Sequence, residues 1–431
     1  MKFRVVVVIL LVFVVRLAAA QPAPPNVPAG ADSSLAEAFD RALGFVPVGS
    51  PTSVKLGVRE LVRSVLTSQL ATFPVGSSSG AFTYVYDERT RAFSRRTRTF
   101  GPWFAESASS LGRKGAFSVG TSVQAVRFDS LDGRTLEEGV FHTRSKRGAA
   151  GDWIGRQLNM SLTNHTVSVF GTYALSPTVD VGVIVPVVRV GFEAVAVNLR
   201  GETLTDSTLG SGAIPHVSAS SLGDLQPRAK WNVVRSDLID GAIQVDFRLP
   251  TGSVRQLTGT GSPRQKLSAL MSLHHGAFEE HVNVSYTFRL SGASPWSALF
   301  NNVGIETESG FAVGGEAVEA EGATANELSY VFAGGWAVNH RATITMEVVG
   351  RYLRDSVAFR PNTGISCCVF GLEQYDYIDP VRAHINQVLI AVGGKFNVAG
   401  TSLVSAHVIT SPTRAGLTIR PALVFGFEHA F

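Results

Sequence analysis

From about residue 80 to the C-terminus, apolar and polar side chains alternate with a period of two, the signature of strands with one face buried differently from the other. Ile243, Val245, Phe247 and Leu249 share one face, and Gln244, Asp246 and Arg248 the other. Val282, Val284, Tyr286, Phe288 and Leu290 oppose His281, Asn283, Ser285, Thr287 and Arg289 in the same way. Ala342, Ile344, Met346, Val348 and Tyr352 oppose Arg341, Thr343, Thr345, Glu347 and Arg351. Leu225, Ala229, Trp231 and Val233 oppose Gln226, Arg228, Lys230 and Asn232. Alternation of this kind suits a sandwich sheet as well as a barrel, so the connections must separate the two.

The pattern predicts strands near 82–99, 116–128, 137–146, 158–175, 179–199, 224–235, 241–250, 266–276, 280–290, 327–338, 341–353, 384–398, 401–410 and 416–431. Short connections (129–136, 176–178, 236–240, 277–279, 339–340, 399–400) alternate with longer ones (147–157, 200–223, 251–265, 291–326, 354–383). Short turns at one rim and long loops at the other are the pattern of an outer-membrane barrel. Greek-key crossings in a sandwich do not produce it. The fold expected over residues 80–431 is all-β, a transmembrane antiparallel up-and-down β-barrel of about 14 strands, range 12–16. Two strands fit less neatly: 157–176 and 179–200 are each about twice the roughly 9–11 residues a membrane strand needs. Pro186 in the second suggests a bulge or kink, and both faces around it are apolar.

The first 79 residues read differently. Lys2 and Arg4, an apolar run over 5–15 and Ala18 to Ala20 have the three parts of a secretory signal, residues 1–20. The run is too short to span a bilayer as a helix, which takes about 20 residues. A Pro-rich leader follows over 21–30, then helical stretches over 33–43 and 56–70, where Leu61, Val62, Val65 and Leu66 recur at helical spacing. Residues 21–79 therefore form a leader and helical segment that either plugs the barrel or hangs in the periplasm.

Composition narrows the chemistry. Charged residues make up 17% of the chain, below the usual quarter, while Gly and Phe are abundant, which favours strands. Loss of Lys2, Arg4 and Arg16 with the signal takes the net charge from +4 to +1, which gives no basis for a nucleic-acid partner. After the signal no uncharged apolar run reaches helix-spanning length, so a membrane location requires a closed barrel. Cys367 and Cys368 are adjacent and cannot form a disulfide framework. Neither the His spacing nor a G-x-S-x-G string supplies a metal or hydrolase motif, and the expectation is a non-enzyme without a cofactor. His281 and Ser285 share a face but stand about 13 Å apart on a strand, too far for a catalytic pair.

The inward charges expected to line the lumen are Arg228, Lys230, Asp246, Arg248, Arg289, Glu347 and Arg351. On the lipid face each would cost roughly 2–4 kcal/mol near the midplane. The last strand places Leu417, Ile419, Leu423, Phe425, Phe427 and Phe431 on one face. Phe425, Phe427 and the terminal Phe431 resemble the signal by which outer-membrane barrels are recognised for assembly.

Several strings resemble the outer-membrane transporter superfamily of the long-chain fatty-acid channels, and most closely the branch named after the meta-cleavage pathway of phenol degradation. They are TVSVFGTY at 166–173, VDVGVIVP at 179–186, LGDLQPRAKW at 222–231, RLPTG at 248–252 and GTGS at 259–262. The resemblance implies a barrel of about fourteen strands that passes small hydrophobic molecules, with an N-terminal segment plugging the lumen. It departs from the fatty-acid channels in lacking an Asn-Pro-Ala string before the barrel; Asn26-Val27-Pro28 is not that motif. The functional expectation is an outer-membrane channel for passive uptake or efflux of small hydrophobic or aromatic molecules. The alternative is a non-transporting barrel that anchors or senses through long extracellular loops. The expected partners are outer-membrane lipid, the barrel-assembly machinery and a small hydrophobic substrate, with no nucleic acid.

Overall fold

In the computed structural model, strand formation begins in earnest at Phe117, where the alternation becomes continuous. The structure describes residues 34–45, 55–76, 84–87, 92–95, 97–147, 153–198, 200–206, 210–295, 297, 323–368 and 371–431. Twelve long strands follow in chain order: β1 (Phe117–Leu131), β2 (Trp153–Ala174), β3 (Val179–Asn198), β4 (Gln226–Arg235), β5 (Ile239–Arg248) and β6 (Arg264–His275). They continue with β7 (Phe278–Arg289), β8 (Asn326–Asn339), β9 (Ala342–Cys368), β10 (Gly371–Ala399), β11 (Ser402–Thr410) and β12 (Ala422–Ala430). Each pairs antiparallel with its predecessor. β12 pairs back onto β1, with Phe425 opposite Val123, so the sheet closes and leaves no edge.

The twelve-strand ring lies at the lower end of the range expected from the sequence. Two expected strands do not cross the barrel. In the first, 82–99, the described residues form only a separate pair, Tyr84–Asp87 with Ala92–Arg95. In the second, Phe141–Arg147 lies along the upper part of β2 and touches β10 at Tyr375, above the point where β1 has turned away. The connection over 129–136, expected among the short turns, consequently belongs to the long-loop rim. The expected long loop 354–383 is mostly ladder: β9 and β10 stay paired from Ser356↔Ala383 to Cys368↔Gly371. That hairpin rises about 40 Å beyond the body of the barrel at roughly 3.3 Å per residue. A bulge at Asp355, whose φ is 55°, marks its base.

The short-turn rim is built from β2–β3, β4–β5, β6–β7, β8–β9 and β10–β11. Gly276 and Gly400 adopt φ of 62° and 53° there, conformations that a two-residue hairpin turn requires and that glycine reaches without strain. Pro186 causes no slip in the β2–β3 register, where it faces Ser168. It sits where the other neighbour of β3 is interrupted, between Ala213–Leu222 and β4. A missing N–H costs little at such a gap, and the Pro186 carbonyl still accepts from the Gly223 N–H at 2.9 Å.

The alternation read from the sequence is inverted relative to a soluble protein. Trp231, Ile243, Phe247, Met271, Phe332, Ile344, Met346, Phe396 and Leu423 are exposed. Gln244, Asp246, Asn283, Ser285, Thr343, Thr345, Glu347 and Arg351 on the opposite parity are buried. Apolar outside and polar inside, on a closed barrel, define a transmembrane β-barrel. Phe278 stacks on Trp336 at 6.1 Å, and Phe117 on Phe431 at 6.0 Å, at the short-turn rim, as expected for an aromatic girdle.

The last expected strand, 416–431, is divided. Leu417–Ile419 pairs with the top of β1, and β12 begins only after Arg420 and Pro421. Leu417 and Ile419 are buried in the main apolar cluster and do not share the outward face of Phe425 and Phe431.

Candidate functional site

The barrel interior has two tiers with different chemistry. Toward the long-loop rim the inward positions are apolar: Phe128, Leu131, Leu158, Met160, Leu162, Val190, Phe192 and Ile409. Against them pack helix α1 (Leu35–Gly44) and helix α2 (Lys55–Ala71). The sequence encodes α1 locally, because the Ser34 hydroxyl caps the Glu37 N–H at 3.3 Å and Glu37 stands in the first turn. Leu35, Phe39, Ala42 and Leu43 form its buried stripe, and Phe39 meets Phe192 at a ring separation of 5.1 Å. This tier resolves the ambiguous faces near Pro186: Val188, Val190 and Phe192 point at the helices, while Val183 is exposed.

Toward the short-turn rim the inward positions are polar, and residues 97–116 run along them without regular secondary structure. Such a chain inside a barrel needs partners for its backbone groups, since few waters reach them. The wall supplies those partners strand by strand. Thr343 accepts from the Phe100 N–H at 3.1 Å. The Glu347 carboxylate accepts from three successive N–H groups, those of Trp103, Phe104 (2.8 Å) and Ala105 (2.9 Å). Asn283 accepts from the Glu106 N–H at 2.7 Å and donates to the Glu106 carbonyl at 2.9 Å. Ser272 accepts from the Ala108 N–H at 2.9 Å, and Asn232 donates to the Ala108 carbonyl at 2.8 Å. Lys230 donates to the carbonyls of Ser107 (3.0 Å) and Ser109 (2.8 Å), and Asp180 accepts from the Leu111 N–H at 3.1 Å.

The expected lumen residues fall into three groups. Lys230 and Glu347 hold the 97–116 segment by the contacts above. Arg228, Asp246, Arg248 and Arg351 surround a cavity of about 140 Å³ between residues 72–76 and the wall of β4 to β9. Arg289 stands apart from that cavity, at the end of β7, where its backbone N–H donates to Asn326 at 3.2 Å. The expected lumen set left out the wall residues Asp180, Asn232, Asp240, Ser272, Asn283 and Glu327, and Glu106 on the segment. Asn232 and Asn283 carried the available signal, being polar on the same parity as Arg228 and Ser285, but nothing local distinguished them from solvated positions.

Around the cavity, Arg228 bridges Glu106 at 2.5 Å and Asp246 at 2.8 Å. Glu327 receives a two-point contact from Arg351, through Nε at 3.0 Å and Nη2 at 2.8 Å. Arg351 also donates to the Thr72 hydroxyl at 2.6 Å, and Arg248 to the Ala71 carbonyl, so the end of α2 is tied to the wall. Gln69 fixes the same turn from the other side, accepting from the Leu417 N–H and the Gln387 amide, both at 2.7 Å.

The class of protein so defined is a closed transmembrane β-barrel with the described N-terminal residues 34–45, 55–76 and 97–116 packed against its inner wall. No protein-family model and no curated protein matches the sequence. Among solved structures the chain is similar to an outer membrane channel from Pseudomonas putida F1, at 10% identity over 74% of this chain and 96% of that one, with a TM-score of 0.42. It is also similar to the P. putida toluene transporter TodX, at 6% identity over 76% and 93%, TM-score 0.34. A Pseudomonas aeruginosa FadL homologue is a third, at 9% identity over 74% and 90%, TM-score 0.31. The substrates in those descriptions belong to those proteins.

Proposed function

We propose that the protein is a bacterial outer-membrane channel for passive passage of small molecules, exported through its 1–20 signal and held in a closed state by its N-terminal segment. The observation that carries this reading is the closed barrel with an apolar exterior and a hydrogen-bonding interior whose lumen is filled by a separate stretch of the same chain. Between Phe100 and Leu111 the wall holds that stretch through side chains, while Gly115 and Ala116 pair with Ala174 through backbone, so its middle can shift without breaking the barrel. Small hydrophobic or aromatic solutes are the class that the sequence resemblance implies, and Phe73, Phe104, Val331 and Val349 give the cavity an apolar side. Membrane lipid contacts the exposed apolar band, and the assembly machinery reads β12 through Phe425, Phe427 and Phe431.

Single-channel recording and liposome swelling with the full-length protein test the proposal. Discrete conductance, with swelling in small solutes, is the expected result; a barrel that never conducts and whose deletion changes no uptake would refute it. The alternative of a barrel that anchors or senses is favoured by one observation, the long β9–β10 hairpin braced by Phe141–Arg147. Shortening that hairpin by paired deletion above Phe359 and Pro380 abolishes partner binding on that reading, and leaves permeability unchanged.

A further inference from the structure

The charges around the cavity do not balance. Arg228, Arg248, Arg264, Lys266 and Arg351 face Glu106, Asp246 and Glu327, an excess of two positive charges. Asp224, outside the lining, acts on Arg248 and Arg264, but its oxygens are occupied by the Thr260 N–H (2.9 Å), the Thr260 hydroxyl (2.8 Å) and the Gly252 N–H (3.1 Å). The three lining carboxylates are likewise engaged: Glu106 and Asp246 by Arg228, and Glu327 by Arg351 with Arg264 at 3.7 Å.

Donors are left over on the cationic side. Arg264 is 3% exposed and gives one Nη2 hydrogen to the Ala325 carbonyl at 2.8 Å, while its Nε has no acceptor. Lys266 is half-buried and forms no hydrogen bond or ion pair among the described residues. Arg248 donates to the Ala71 carbonyl and forms no direct ion pair among the described residues, feeling Asp224 and Glu327 only at longer range. A buried guanidinium N–H without an acceptor leaves its desolvation cost unrecovered, and uncompensated cations in low dielectric repel one another. Both costs vanish if an anion with several acceptor oxygens enters.

We propose that this cavity is a binding site for a small oxyanion, a carboxylate or a phosphate, held by Arg248, Arg264 and Lys266. Its volume of about 140 Å³ admits such an ion with little besides. The proposal rests on the channel reading only for its consequence in permeation; binding itself stands on the charge count and the free donors.

Calorimetric titration of the purified full-length protein in detergent micelles with inorganic phosphate, and separately with succinate, tests it. Saturable binding of either ion is expected, and the tighter of the two identifies the headgroup chemistry. Lys266→Met, which removes an ammonium that forms no hydrogen bond or ion pair among the described residues, is expected to weaken binding about tenfold while the barrel keeps its heat-modifiable gel mobility. Arg248→Gln is expected to act in the same direction. No binding of either ion, or native affinity in Lys266→Met, would overturn the proposal. The same ions added to a planar bilayer are expected to block conductance; binding without any conductance would defeat the channel reading and leave the anion site intact.

Discussion

Single residues hold the interior together through acceptors aimed at backbone. Glu347 is the clearest, since one fully buried carboxylate serves three consecutive N–H groups of an irregular segment. Its position was legible as an inward charge, but its role was not, because the segment it holds lies some 240 residues earlier. Glu347→Gln turns an amide N–H₂ toward those donors and is expected to cost about 1–3 kcal/mol in unfolding free energy. It is also expected to increase open-channel bursts in bilayer recordings; unchanged stability and gating would show that the three contacts do not restrain the segment. A second residue-scale case is the facing pair Gly252 and Gly259. A Cβ on Gly259 would lie 2.4 Å from the Gly252 carbonyl carbon, in contact with backbone that cannot yield. Gly259→Ala should therefore lower the melting temperature, and a melting temperature within a degree of native would show that the loop relaxes freely. The sequence showed these glycines only as members of a motif string.

Elements were read with uneven success, for identifiable reasons. Strands with one apolar and one polar face, such as β5, β7 and the lower part of β9, were found with their sides correct. Around Pro186 in β3 both faces are apolar because Ile184 and Val188 are buried in the interior while Val183 is exposed, and a period-two rule cannot separate two apolar environments. The expected strand 82–99 failed because alternation there reflects a small separate hairpin, Tyr84–Asp87 with Ala92–Arg95. Helix α1 lies within the expected helical stretch 33–43, and the structure shows its cap, Ser34 with Glu37, to be local. Its stability is not local: Phe39 is 1% exposed and packs on Phe192 of β3. Phe39→Ala is expected to destabilise α1 docking by about 3–5 kcal/mol, read as faster hydrogen exchange across 35–44 without loss of the barrel. At the other end, the Phe431 N–H donates to the Phe117 carbonyl at 2.8 Å and its ring stacks on Phe117, so the chain terminus seals the β12–β1 seam. Removal of Phe431 is expected to reduce the heat-modifiable barrel recovered from outer membranes several-fold; full recovery would deny the terminal aromatic a part in assembly.

At the scale of the molecule, the question is whether residues 97–116 must move for solutes to pass. Cysteines placed at Ala108 and Ser272, in a chain with Cys367→Ser and Cys368→Ser, allow a short bifunctional reagent to tie the segment to β6, because the Ala108 N–H and the Ser272 hydroxyl are 2.9 Å apart. Cross-linking is expected to abolish conductance and cleavage of the linker to restore it; conductance unaffected by the cross-link would mean the path bypasses the segment. The sequence by itself determined what each residue could prefer from its neighbours along the chain: the period of two, the short and long connections, the two helical stretches, and which charges could not face lipid. These follow from strand geometry and the cost of a charge in hydrocarbon, which act residue by residue. Only the tertiary structure decided that twelve strands close the ring, that β9 and β10 continue far past it, and that residues 97–116 lie against the wall instead of forming a loop. It also decided which inward charges are neutralised and which are left over, around one cavity of about 140 Å³. That balance depends on pairing between residues more than a hundred positions apart, such as Arg228 with Glu106, and no local pattern specifies a pair that only closure of the barrel brings within reach.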